Sequence, residues 1–218
     1  MHIFLAIFAI VSIAQIIFIL LGKKRFRQMS KVLIIPPLLA AYIVGMEGQL
    51  FFPIPALIFG WIGDILLLRK DKAIYFKLGL TSFLLGHLCY IITFIQCLGF
   101  FGFSGGSFNI TVFAVSIPLA IIFGFISFHF IKPSREMKIP VIIYMAVLET
   151  VFLLALQVFI FNLSFAGALI FLGCLFFLIS DLVLAYYAFR MIKRLGAAFI
   201  MTFYIMAQAG IILGLMSL

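Results

Sequence analysis

Apolar runs long enough to cross a bilayer follow one another from end to end of this chain, and the breaks between them alternate in character. After the first, third, fifth and seventh runs come clusters of Lys and Arg, at Lys23–Lys31, Arg69–Lys77, Lys132–Lys138 and Arg190–Arg194. The intervening breaks, near Glu47–Phe52, Gly99–Asn109 and Phe161–Ser164, hold neither residue. In a membrane protein this is the positive-inside pattern, in which basic loops stay on the cytoplasmic face. The expected fold is therefore all-α, an integral membrane bundle of eight transmembrane helices, at 2–21, 31–47, 53–69, 74–98, 110–131, 139–160, 164–189 and 197–217. Both termini fall on the non-cytoplasmic side.

Composition narrows the class further. With 67% hydrophobic and 10% charged residues, the chain leaves no hydrophilic stretch large enough to fold apart, so residues 1–218 read as one transmembrane domain. The formal charge of +9 lies beside the membrane rather than on a stacking platform, which argues against nucleic acid as a partner and for anionic headgroups. The charges of the first run follow it, and no small-residue cleavage site ends it, so it reads as an uncleaved span. Continuous apolarity without period-2 alternation excludes a barrel. Pro53 and Pro140 fall in first turns, whereas Pro36 and Pro37 are expected to kink or unwind the second span and Pro118 to bend the fifth. Cys89, Cys97 and Cys174 lie in apolar runs and read as packing residues.

Against this background the acids stand out. Asp71 and Glu136 lie among basic loop residues and Glu47 near an outer end, but Asp64, Glu149 and Asp181 fall inside spans. A charge at mid-bilayer costs ~2.5–3.5 kcal/mol on insertion scales, so such residues face a bundle interior or a wet cavity. At ~1.5 Å per residue from the nearest basic cluster, Asp64 lies ~7 Å deep, Asp181 ~13 Å, and Glu149 and His87 ~15 Å. One cavity opening to the inner face would accommodate all four. His87 and Tyr90 share a helix face, as do Tyr204 and Gln208. Gly60, one turn before Asp64, leaves room for a neighbour to approach. Tyr144, Tyr204 and Gln208 taken singly are more simply interhelical hydrogen bonders. An internal duplication into two four-span halves would put Gly63-Asp64 and Ser180-Asp181 at corresponding positions. No phosphate-binding glycine loop, nucleophile elbow, Ser-His-Asp order or zinc motif is present, and neither metal nor cofactor is expected.

Four blocks occur in order along the chain: Gly63-Asp64-Ile65-Leu66-Leu67; Phe83-Leu84-Leu85-Gly86-His87-Leu88-Cys89-Tyr90; Ser180-Asp181-Leu182-Val183-Leu184-Ala185 with Phe189; and Tyr204 with Gln208. In this set the chain resembles the YhhN family of small multispanning proteins, which includes the lysoplasmalogenases. It departs in the second span, where Lys31 is separated from Pro36 instead of forming a Lys-Pro pair. The resemblance implies hydrolysis of the vinyl ether bond of a lysoplasmalogen to a fatty aldehyde and glycerophosphocholine or glycerophosphoethanolamine.

Residue chemistry fits that reaction. Protonation of the vinyl ether at its β-carbon makes an oxocarbenium ion, water adds, and the hemiacetal collapses. One protonated acid and one carboxylate suffice, much as in glycosidases. A poorly solvated cavity with two close carboxyls favours one proton staying on the pair. Asp64 and Asp181 are the expected pair, with His87 orienting one of them or relaying protons and Tyr90 bonding to the same group. Tyr204, Gln208 and Glu149 would be supporting or headgroup contacts. Lys31, Arg69 or Lys193 at the inner mouth could hold the phosphate. The partners implied are a lysophospholipid and membrane lipids, in the inner (plasma) membrane if the source is bacterial. The competing readings are a proton-coupled carrier and a lipid-binding protein without turnover.

Overall fold

A computed structural model of the chain describes residues 1–46, 50–69, 73–99, 135–161, 163–188 and 194–218, together with 114, 118 and 124. Among the described residues there are seven α-helices: α1 (His2–Leu20), α2 (Lys24–Gly45), α3 (Pro53–Leu66), α4 (Ala73–Cys97), α5 (Lys138–Phe161), α6 (Phe165–Ala188) and α7 (Arg194–Met216). All but α3 are long and apolar enough to cross a membrane. Short 3₁₀ turns continue α3 through Leu67–Arg69 and precede α5 at Arg135–Met137. Apart from three residues, the expected span at 110–131 lies outside the described residues, as do most of the loop after Gly99, Glu47, Asp71 and Lys193.

Each described helix packs on the next in chain order, and α7 returns to pack on α1 and α2, closing the bundle. Its polarity is that of a lipid-facing structure. Helix α1 exposes Ile3, Ile7, Ile10 and Ile13 while burying Ser12 and Gln15. The tightest crossing joins α6 to α7. A Cβ at Gly173 would lie 2.7 Å from the Ile211 nitrogen, and one at Gly214 would lie 2.8 Å from the Ala166 carbonyl oxygen. Only small residues allow such backbone approach, the device by which membrane helices gain van der Waals contact without a hydrophobic driving force. Helices α3 and α4 meet in the same way at Gly86, whose Cβ would be 3.0 Å from the Ala56 oxygen, and through Ser82 donating to the Phe59 carbonyl at 2.6 Å.

Helix α2 departs from the expectation at its start, and of the kink or unwinding expected at Pro36-Pro37 it does not show the unwinding. It begins at Lys24, not Lys31, because Lys, Arg and Gln are good helix formers and no breaker stands between Gly22 and the apolar run. Gly22, at φ 70°, makes the turn out of α1, with the Arg194 guanidinium where a side chain would go. Nor does α2 unwind at Pro36-Pro37; it is helical throughout. Pro36 has no N–H to donate to the Val32 carbonyl four residues back, and the Trp61 indole of α3 supplies that bond instead, Nε1 to O at 2.7 Å. We expect Trp61→Phe to destabilise the protein by ~1 kcal/mol, the lower end of the cost of orphaning an acceptor, since this one is only partly buried. In a Pro36→Ala background, where the helix supplies its own donor, the same change should cost much less. Unfolding titrations in mixed micelles measure both.

Candidate functional site

Asp64 stands in the last full turn of α3 and is 2% exposed. Its Oδ1 is 3.0 Å from Lys31 Nζ on α2, and its Oδ2 accepts a hydrogen bond from the Tyr204 hydroxyl on α7 at 2.7 Å. The glycines around it account for the fit. Gly60 faces α7, where a Cβ would sit 3.5 Å from the Gln208 amide and 3.7 Å from the Tyr204 hydroxyl. Gly63 lies against the Phe83 ring, which a Cβ would strike at 2.7 Å.

Asp181, 7% exposed, projects from α6 and accepts a hydrogen bond from the Tyr144 hydroxyl on α5. Its neighbour Ser180 donates to the Ile200 carbonyl of α7 at 3.1 Å, which fixes the rotation of α6. No cation pairs with Asp181 among the described residues. Among the described residues the site thus contains two Tyr–Asp pairs, only one of them with a lysine.

Aromatic rings from α4 and α6 lie between these pairs. His87 packs edge-on against Phe177 at 4.6 Å and Tyr144 at 5.5 Å, and Phe177 packs edge-on against Tyr204 at 5.7 Å. His87 Nδ1 is 2.7 Å from the Phe83 carbonyl. A carbonyl only accepts, so Nδ1 carries the proton and Nε2 presents a lone pair. That Nε2 is buried and has no hydrogen-bond partner among the described residues.

Lys31, Asp64 and Tyr204 therefore form one cluster, with Asp181 and His87 adjoining it through Tyr144 and Phe177. Tyr90 does not share a partner with His87. It donates to Gln208 Oε1 at 2.8 Å, forming a polar link across α4 and α7. No hydrogen bond or ion pair joins Glu149 to the cluster among the described residues; its Oε1 is 3.0 Å from where a Cβ on Gly124 would be. Arg69 lies over the Tyr75 ring at 5.6 Å. Tyr144, read from the sequence only as an interhelical hydrogen bonder, makes that bond to Asp181 and so belongs to the site. Its place in the inner half of its span, near the depth of Asp181, is a signal that could have found it. Among the described residues, no group of three His, Cys, Asp or Glu side chains could hold a metal ion.

Two hollows reach this cluster. One is an apolar slot lined by Phe76, Leu80, Phe83 and Met145 with Tyr144 and Asp181 on its wall. The other is a cavity of about 400 Å³ lined by Lys24, Arg27, Gln28 and Lys31 of α2 and by Gln15 of α1. Leu67 and Leu184 belong to both linings, so the hollows adjoin.

The profile of the YhhN family matches residues 26–215. The chain belongs to the YhhN family. The match includes Lys31, Asp64, His87, Tyr90, Tyr144, Asp181, Tyr204 and Gln208, and only α1 among the helices of this YhhN protein falls outside it. Searches among curated proteins and among solved structures give no match to the chain.

Proposed function

We propose that this YhhN-family membrane protein is a lysoplasmalogenase, hydrolysing the vinyl ether bond of lysoplasmenylcholine or lysoplasmenylethanolamine. The observation that carries the reading is the asymmetric pair: Asp64 held by Lys31 and Tyr204, and Asp181 held by Tyr144 with no cation partner among the described residues. A buried charge is costly unless paired. The ion pair supports a reading in which Asp64 is the carboxylate and Asp181 carries the proton. In the proposed sequence Asp181 protonates the β-carbon of the vinyl ether, and the electron pair on oxygen makes the oxocarbenium ion that Asp64 faces. Water adds to the oxocarbenium carbon, the one bonded to the ether oxygen, and gives up a proton to His87 Nε2. The hemiacetal then collapses, its hydroxyl proton passing to the leaving glycerol oxygen, so that fatty aldehyde and the glycerol hydroxyl are released and the proton on His87 returns to Asp181. The apolar slot beside Asp181 suits the alkenyl chain, and the basic cavity suits the polar end.

The test is product analysis. Purified protein in detergent, given a vinyl-ether lysophospholipid, should release equal amounts of aldehyde and glycerophosphocholine. Intact lipid after prolonged incubation would reject the hydrolase and favour the carrier reading.

The same proposal includes eight spans, both termini on the non-cytoplasmic face and, for a bacterial source, the plasma membrane. The cavity and its cations then open toward the cytoplasm. Single cysteines placed at Met1 and Leu218 in a cysteine-free background should react with an impermeant maleimide on intact cells, whereas one at Gln28 should react only after lysis. The reverse labelling pattern would invert the topology.

A further inference from the structure

Tyr204 has one hydroxyl proton, and Asp64 Oδ2 takes it at 2.7 Å. The Tyr204 oxygen can then only accept, and the group facing it decides whether that proton stays on Asp64. Gln208 stands one turn further along α7, on the same face, and is 1% exposed. A Cβ on Gly60 would sit 3.5 Å from Gln208 Nε2 and 3.7 Å from the Tyr204 hydroxyl, so the amide nitrogen and the phenol oxygen turn toward the same small gap. The other end of the amide is fixed from α4, where the Tyr90 hydroxyl donates to Oε1 at 2.8 Å. A carbonyl oxygen only accepts, so this bond cannot reverse unless the amide turns over. Tyr90, Gln208, Tyr204 and Asp64 are all buried.

The donors therefore run one way: Tyr90 O–H to Gln208 Oε1, Gln208 N–H toward the Tyr204 oxygen, and Tyr204 O–H to Asp64 Oδ2. A turned-over amide would present Oε1 to Tyr204 and draw the phenol proton off the carboxylate. Lys31 Nζ meets the other oxygen of that carboxylate at 3.0 Å, so donors face both ends of Asp64. Hydrogen bonds in such a row polarise one another, and each link strengthens the next. We infer that Tyr90 and Gln208 are positioning residues, which hold the amide in the one orientation that keeps the Tyr204 proton on Asp64 and so hold Asp64 as an acceptor-only carboxylate. Tyr90 acts from α4 through two intervening side chains, a role apart from any contact with a headgroup. The inference rests on the hydrolase reading for the reaction that Asp64 serves, but the row itself is measurable without turnover.

Infrared difference spectra of purified protein in detergent, each variant taken against its own Asp64→Asn partner, isolate the Asp64 carboxylate band with no substrate present. Tyr204→Phe removes the donor outright and sets the full shift of that band. Gln208→Glu puts an acceptor where the N–H stood and should move the band most of the way to the Tyr204→Phe position. Tyr90→Phe frees the amide to turn and should move it part of the way in the same direction. In aldehyde release from a vinyl-ether lysophospholipid, Tyr90→Phe should lower kcat ~2–10-fold, the worth of one neutral hydrogen bond, and leave KM within ~2-fold. Made on top of Tyr204→Phe, the same change should cost kcat nothing further, because no phenol proton is left to direct. A merely structural Tyr90 would cost the same in both backgrounds. A carboxylate band unmoved in Gln208→Glu and Tyr90→Phe, or a Tyr90→Phe loss undiminished in the Tyr204→Phe background, overturns the inference. Band shifts in a protein that releases no aldehyde would uphold the row and reject the hydrolase reading alone.

Discussion

Asp181→Asn should lower aldehyde release by ~10²–10⁴-fold, the usual contribution of a positioned general acid, and leave the stability of the bundle nearly unchanged. The two halves of that expectation come from one observation. Tyr144 donates to Asp181, and an Asn carbonyl accepts the same bond in the same place, so the interhelical link between α5 and α6 survives. No lysine is stranded, because Asp181 has no cation partner among the described residues. What disappears is the only acidic proton at that position. Asp64→Asn should cost a comparable factor in rate but is a less clean change, since it deprives Lys31 of its carboxylate. Turnover by a folded Asp181→Asn protein at the wild-type rate would remove the paired-carboxylate chemistry.

The second large effect concerns Lys31. Removing one partner of a buried ion pair costs ~3–5 kcal/mol, because the other charge is left without compensation. Lys31→Met leaves Asp64 with Tyr204 alone, at 2% exposure. Combining Lys31→Met with Asp64→Leu removes both charges and should recover most of the loss, since an apolar replacement of a buried pair is often neutral or better. Unfolding in mixed micelles completes the cycle. Equal stability for Lys31→Met and the wild type would mean that the pair is not formed, and the assignment of Asp64 as the carboxylate would fall with it.

Much of this architecture is legible from charge alone. The alternation of basic and non-basic breaks locates the described helices to within a few residues, except at one end of α2 and at α3, which shortens into a 3₁₀ turn. Hydropathy marks where a helix enters hydrocarbon, and α2 extends back through its basic residues to Lys24. The basic stripe that lines the cavity was hidden by that difference. The acids, His87 and Gln208 were conspicuous because a polar group in a span is expensive. Their partners were not, since spacing along one helix cannot say which residue of another helix lies opposite. Tyr144 on Asp181, Tyr90 on Gln208 and Trp61 on the Val32 carbonyl all depend on how glycine-mediated crossings set the rotation of each helix. The last of these has a local cue in hindsight, because a proline within a span leaves a known carbonyl in need of a donor.

The central claim is that the carboxyl pair hydrolyses a vinyl ether by protonating its β-carbon, and turnover in deuterium oxide reads that step directly. Purified protein acting on a vinyl-ether lysophospholipid in D₂O should release aldehyde with a single deuterium at C2, and Asp181→Asn should release almost none. Aldehyde without deuterium at C2, or no aldehyde from the wild type, would contradict the account.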